Sequence, residues 1–156
     1  MEEPRVLFVD DDENLLMGLK RRLRGKFSFD TALGPLEAIE KIKGGAKYAV
    51  CVADMRMPEM DGVELLSNVA KLSPDTVNMM LTGNADQKTA VEAINQGRIF
   101  RFFNKPCEDE ELLVGVNAAL RQHQLITAEK ALIEQTLAGS IKVLTEVLSQ
   151  LNPAIF

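Results

Sequence analysis

Four consecutive apolar residues, Val6, Leu7, Phe8 and Val9, run without a break into three carboxylates, Asp10, Asp11 and Asp12. So short an apolar run fits a strand buried on both faces, as in parallel sheets. The acids then fall at the strand's C-terminal end, where open α/β sheets bind ligands. Two unit charges about 4 Å apart repel by roughly 4 kcal/mol at an effective dielectric near 20. Three adjacent carboxylates therefore call for exposed backbone or for a cation, and a divalent metal is the natural guest. The plainer alternative is that Asp12 caps a following helix while the other two are solvated.

The same pattern recurs down the chain. Leu15, Leu16, Leu19 and Leu23 repeat at helical spacing, with Lys20, Arg21, Arg22, Arg24 and Lys26 clustered late in the segment, so a first helix is expected over residues 12–24, ending near Gly25. Phe27, Ser28, Phe29 and Asp30 alternate like a half-exposed edge strand. Pro35 opens a second helix with Leu36, Ile39 and Ile42 facing inward, and Gly44-Gly45 closes it. Residues 48–53 form an apolar run that again ends in a carboxylate, Asp54. A third helix carries Val63, Leu66, Val69 and Ala70, and residues 76–81 form a strand ending at Thr82. A short helix with Val91 and Ile94 leads to a fifth strand, residues 99–103, ending at Asn104, Lys105 and Pro106. Five alternations of strand and helix imply right-handed crossovers and a doubly wound parallel α/β sheet with helices on both faces. Asp10, Asp11, Asp54, Thr82 and Lys105 then gather at one sheet edge.

Composition narrows the classes open to such a chain. With 46% apolar and 26% charged residues over 156 positions, one well-buried domain plus an appendage is expected. No apolar run approaches membrane-spanning length and the N-terminus MEEPRV lacks the features of a signal peptide, so a cytoplasmic location without membrane contact is expected. A net charge of −5 argues against a nucleic-acid surface. The basic stretch of the first helix reads as a solvated face, with a docking surface for an acidic partner as the alternative. Cys51 and Cys107 read as reduced thiols, zinc ligands are lacking, and the single histidine, His123, is assigned no role.

The clustered groups suit phosphoryl transfer. Asp11 and Asp54 can hold Mg²⁺ while one oxygen of Asp54 stays free as a nucleophile, since Mg²⁺ takes one or two carboxylates with waters and phosphate oxygens. Lys105 supplies a cation for the phosphoryl oxygens and Thr82 a hydroxyl.

VLFVDDDENL, VCVADMRMPEMDG, LTGNAD and FRFFNKP, in that order and spacing, resemble the receiver domains of two-component response regulators over residues 5–120. The resemblance implies a flavodoxin-like five-stranded sheet of order 2-1-3-4-5. It implies that Asp54 accepts phosphate from a sensor histidine kinase or phosphotransfer protein, that Asp10 and Asp11 form the acidic Mg²⁺ pocket, and that Arg56 offers its backbone carbonyl to the metal. Thr82 and Phe102 correspond to the family's switch pair, with Phe102 lacking the hydroxyl of the more familiar tyrosine. Lys105-Pro106 corresponds to a cis bond in the family. The chain would thus be a phosphoacceptor and not an enzyme acting on a separate substrate.

Beyond a receiver domain at residues 1–120, helical character continues through residues 121–156, to Leu151 and the first proline at Pro153. Ile126, Ile133, Leu137, Ile141, Leu144 and Leu148 form one apolar stripe with an eleven-residue period, which suits a straight or slightly right-handed coil. A parallel homodimer seam is the simplest use of it, and folding back onto the receiver is the alternative. The ending EQTLAGSIKVLTEVLSQLNPAIF is similar to linkers that precede HD-type phosphohydrolase output domains, the HD-GYP class among them, although no HD metal motif is present here. Two other classes compete. A haloacid dehalogenase-type phosphatase would leave Asp54 and Lys105 unexplained, and a phosphorylation-independent dimerisation module would leave the acid, hydroxyl and lysine set without use.

Overall fold

A computed structural model of the chain describes residues 3–151. Five parallel strands, β1 (Val6–Asp10), β2 (Phe29–Leu33), β3 (Val50–Asp54), β4 (Val77–Thr82) and β5 (Arg101–Asn104), form one sheet of order β2-β1-β3-β4-β5. Between them lie α1 (Glu13–Arg22), α2 (Pro35–Lys43), α3 (Gly62–Leu72) and α4 (Gln87–Asn95), the last preceded by a 3-10 turn at Asn84–Asp86. This is the flavodoxin-like arrangement expected from the alternation, and α5 (Asp109–Leu151) follows it.

The register explains why the strands read as they do. Val6 to Val9 pair with Phe29 to Ala32 on one side and Val50 to Ala53 on the other, so β1 has no face or edge left for water. Its residues, like those of β3 and β4, are buried along their whole length. Asp12 is the N-cap of α1, its carboxylate accepting from the amides of Asn14 and Leu15, so the third acid of the triplet is spent on the helix start.

Three strand starts and one helix residue need correction: β3 and β5 begin at Val50 and Arg101, each two residues after the expected start at 48 and 99. The second strand begins at Phe29 and runs to Leu33, two residues later than the alternation from Phe27 suggested. Phe27 instead packs its ring against Phe8 and Phe29, centroids 6.1 and 5.5 Å away, so its apolar character serves an aromatic cluster ahead of the strand. Leu36, expected to face inward, is 56% exposed. Pro35, Ala38 and Ile42 fill the inner face of α2, and Leu36, about 100° around the helix from Pro35, falls outside that face.

The chain separates into a unit ending at His123 and a second unit from Gln124 onward. In the first, the His123 ring nitrogen Nδ1 lies 2.8 Å from the Asp75 carbonyl oxygen, giving this residue a local structural contact. In the second, Ile126 is half-buried while Ile133, Leu137, Ile141, Leu144 and Leu148 are 48–63% exposed. Leu125, Leu132 and Val143 are exposed as well, and at 100° per residue they lie about 120° around the helix from Leu137. The expected stop at Pro153 lies outside the described residues. Among those described, no helix is long and apolar enough to cross a membrane.

Candidate functional site at the C-terminal edge of the sheet

Strand ends β1 and β3 deliver Asp10 and Asp54 side by side, and Asp11 follows Asp10 on the loop to α1. One oxygen from each of the three carboxylates lies within 4.8 Å of the others. Asp10 and Asp54 are nearly closed to water, with side chains 3% and 9% exposed, whereas Asp11 is open to solvent. Lys105, at the end of β5, reaches between the two buried acids: its Nζ is 2.8 Å from Asp54 Oδ1 and 3.3 Å from Asp10 Oδ2. The Asp12 amide donates to the other Asp10 oxygen at 2.9 Å.

The surrounding loops are shaped to keep this edge tight. Lys105 donates its backbone N–H to the Thr82 carbonyl at 2.9 Å, tying the end of β5 to the end of β4, and the following Lys105-Pro106 bond is cis. Gly62 donates to the Met55 carbonyl at 2.8 Å, folding the β3–α3 loop back over Asp54. A Cβ at position 62 would lie 2.6 Å from the Asp54 carbonyl oxygen, so this close approach admits only glycine. Asp61 caps α3 just before it, accepting from the Glu64 amide.

Electrostatically the edge is under-neutralised. Burial, as the largest cause, pushes the carboxyls of both Asp10 and Asp54 above the usual carboxylate range. Lys105 offsets part of that rise, while Asp54 acts on Asp10 and Asp11 acts on Asp54 to reinforce it. Lys105 is held above its ordinary value by its hydrogen bond to Asp54 and by the charge of Asp10, against the opposing cost of burial. Three acids share one ammonium. A divalent cation fits this donor set, since hard oxygen ligands at a partly open, doubly negative corner are what Mg²⁺ requires. The Arg56 carbonyl, in the same loop, receives none of the backbone hydrogen bonds there.

Thr82 is fully buried at the end of β4, its hydroxyl donating to the Gly83 carbonyl at 3.1 Å. Phe102 is half-buried on β5, packed against the core and lining a shallow groove with Arg101, Phe103, Glu110, Glu111 and Val114. The structure therefore brings Asp10, Asp11, Asp54 and Lys105 into one cluster, sets Thr82 on the adjacent strand end, and leaves the helical residues Ile126, Ile133, Leu137, Ile141, Leu144 and Leu148 in the second unit.

One feature of the site had no sequence signal. The Arg56 guanidinium forms a two-pronged pair with Asp86, at 2.7 and 2.9 Å, linking the β3–α3 loop to the 3-10 turn after β4. The partners are thirty positions apart and only the sheet order brings them together. Nearby, the Gln87 amide donates to Asn104 Oδ1 at 2.7 Å, joining α4 to β5.

Residues 6–117 match the family model for the response regulator receiver domain. Among curated proteins, the transcriptional regulatory protein GlrR of Escherichia coli K12 is 33% identical over 126 residues, which are 80% of this chain and 28% of GlrR. The chain thus spans little more than a quarter of that regulator's length. Among solved structures, adenylate cyclase from Rhodopirellula baltica is 41% identical with a TM-score of 0.82, covering 85% of this chain and 98% of the solved one. The signal receiver domain of an HD domain-containing protein from Pseudomonas fluorescens Pf-5 is 28% identical with a TM-score of 0.72, covering 82% and 94%.

Proposed function

The chain belongs to the response regulator receiver domain family, and on that premise we propose that Asp54 accepts a phosphoryl group from a sensor histidine kinase or phosphotransfer protein. The observation that carries the assignment is the placement of Lys105: a single ammonium 2.8 Å from Asp54 and 3.3 Å from Asp10, at a corner that stays short of positive charge. A free oxygen of Asp54 attacks phosphorus, the bond from phosphorus to the donor nitrogen breaks with its electrons going to the imidazole, and an acyl phosphate remains on Asp54. Asp10, Asp11, Asp54 and the Arg56 carbonyl would hold Mg²⁺, which when bound would supply charge neutralisation for the incoming phosphoryl oxygens. Lys105 shifts from pairing two acids to pairing a phosphoryl oxygen, and Thr82 exchanges its bond to the Gly83 carbonyl for one to the same group. Phe102 repositions with Thr82 through packing alone. The chemistry is confined to gain and loss of this one phosphoryl group, in the cytoplasm.

The second unit carries the signal onward as a parallel dimer through Ile126, Ile133, Leu137, Ile141, Leu144 and Leu148, toward an output domain of HD type. The likeness to a receiver from an HD domain-containing protein supports that direction. The exposure of the stripe supports the dimer, because a lone helix in water is marginal without packing.

Intact mass measurement after incubation with acetyl phosphate and Mg²⁺ tests the central claim. One phosphoryl adduct is expected, absent in Asp54→Asn and suppressed by EDTA. An adduct at wild-type level in Asp54→Asn overturns the site, and no adduct in the wild type favours a phosphorylation-independent module. Light scattering on the full chain and on residues 1–123 tests the helix: a dimer and a monomer are expected, and a monomeric full chain removes the seam.

A further inference from the structure

The basic residues at the end of α1 and just beyond it have no task at the phosphoryl site, and the structure divides them. Arg22 turns to pair with Asp109 at 3.0 Å. Lys20, Arg21 and Arg24 instead line an open groove of about 620 Å³ together with Arg5, Lys41, and the segment from Phe27 to Thr31. This groove is at the opposite pole of the sheet from Asp54. Arg5 precedes β1 and Asp10 ends it, about 16 Å away at the rise of a strand. The volume lies within the range of small-molecule sites.

Charge and surface chemistry define what would sit there. Five cations face one carboxylate, Asp30, which is already paired with Arg5 and accepts from the Tyr48 hydroxyl at 2.8 Å. Lys20, Arg21, Arg24 and Lys41 form no ion pair among the described residues. Glu3 adds one negative charge at the rim through its bond with Ser28. The C-terminal ends of α1 and α2 contribute about half a negative charge each, which accounts for some basic residues here but leaves a clear positive surplus. Helix ends do not account for the rest of the wall. Phe27 and Phe29, half-buried with their ring centroids 5.5 Å apart, line the groove together with Thr31. Cations in pairs suit phosphate oxygens, and Arg in particular binds them through two N–H groups at once. Phenylalanine rings suit a base or another flat apolar group.

We propose that this groove binds a nucleotide carrying two or more phosphates, with Lys20, Arg21, Arg24 and Lys41 on the phosphates and Phe27 and Phe29 against the base. An extended acidic peptide would use the cations but not the aromatic residues, and an anionic membrane, which could use both, lies against a flat or protruding face and does not fill a groove. The site is independent of phosphorylation at Asp54.

Isothermal titration of the full chain with ADP, inorganic pyrophosphate and adenosine, in EDTA so that the acidic edge takes no part, tests this. ADP is expected to bind below millimolar, pyrophosphate several-fold more weakly, and adenosine not at all. Raising salt from about 50 to 200 mM should weaken ADP binding several-fold by screening. Arg21→Glu with Arg24→Glu should weaken it at least tenfold while the acetyl phosphate adduct at Asp54 forms at wild-type level, which keeps this outcome separate from the receiver assignment. Phe27→Leu, with its fold checked by circular dichroism, should weaken ADP several-fold and leave pyrophosphate unchanged. ADP failing to bind at millimolar concentration, ADP binding unaltered in the double charge variant, or equal affinities for ADP and pyrophosphate each overturn the proposal. Binding of polyglutamate or of phosphatidylserine vesicles in the absence of ADP binding does so as well, and reassigns the groove.

Discussion

Up to His123, the large side chains of β1, β3 and β4 are shut off from water, whereas beyond Gln124 Ile133, Leu137, Ile141, Leu144 and Leu148 remain about half exposed or more. The two units use similar residues to opposite ends. Five strands pair edge to edge and helices cover them, so each apolar run in the first unit finds its partner within the same unit. A single helix has no second layer, and its apolar stripe is an unfinished surface. Stability of the first unit is therefore intramolecular, and that of the second depends on what it meets.

The largest effects should come from removing volume in the closed unit. Leu65, fully buried on α3, should cost about 2–5 kcal/mol when changed to alanine. Leu137→Ala, on the exposed stripe, should leave the receiver's urea midpoint unchanged and instead lower the mass seen by light scattering. A large fall in that midpoint for Leu137→Ala would break the comparison, by showing that the helix packs on the receiver.

Adding volume comes next. A Cβ on Gly115 would meet the Phe103 ring at 2.2 Å, and that ring is itself buried, so it has nowhere to go. Gly115→Ala should destabilise by about 1–3 kcal/mol, read by urea unfolding. An unchanged midpoint would mean that α5 and β5 are more loosely seated than their packing implies.

The closed unit was legible for a physical reason: strands buried on both faces leave continuous apolar runs, and Asp10, Asp54, Thr82 and Lys105 stand where those runs stop. The edge strand was less so, because β2 has only one buried neighbour and its alternation from Phe27 belongs to an aromatic cluster and not to the ladder. Leu36 misled because its spacing to Ile39 is helical although the inner stripe of Pro35, Ala38 and Ile42 lies roughly 100° or more around the helix from it, and a lone leucine at the edge of a pattern does not fix which face turns inward. Pairing between distant loops, as in Arg56 with Asp86, and the assembly of Arg5 and Lys41 with the α1 cations, arise from strand order and leave no local trace.

The acidic edge is the exception within the closed unit, since its charges are left incompletely satisfied. Asp54 binds its proton more tightly folded than unfolded, so between the ordinary value of 3.8 and the raised folded value the unfolded chain holds fewer protons. Wild-type stability attributable to Asp54 then falls as pH rises through that window. Asp54→Asn lacks this penalty. In EDTA its Tm should exceed that of the wild type at neutral pH, and the gap should shrink as pH falls toward 3.8. A gap of constant size across this range would mean that Lys105 fully compensates Asp54, and the edge would then be as self-contained as the core beneath it.

The smallest effect should come from the open unit. Gly139 lies mid-helix, and a Cβ there would meet no atom within 4 Å. Alanine should therefore recover about 1 kcal/mol of helix propensity at no steric cost. Its position also matters for the proposed dimer seam. At 100° per residue, Gly139 points about 200° from Leu137 and so falls on the far side of the helix from the centre of the apolar stripe. Gly139→Ala should increase helicity by circular dichroism and leave the dimer mass in light scattering unchanged or shifted to lower protein concentration. A loss of dimer on adding this one methyl group would mean that the helices approach through Gly139, and the seam through Ile133, Leu137, Ile141, Leu144 and Leu148 would have to be redrawn on the opposite face.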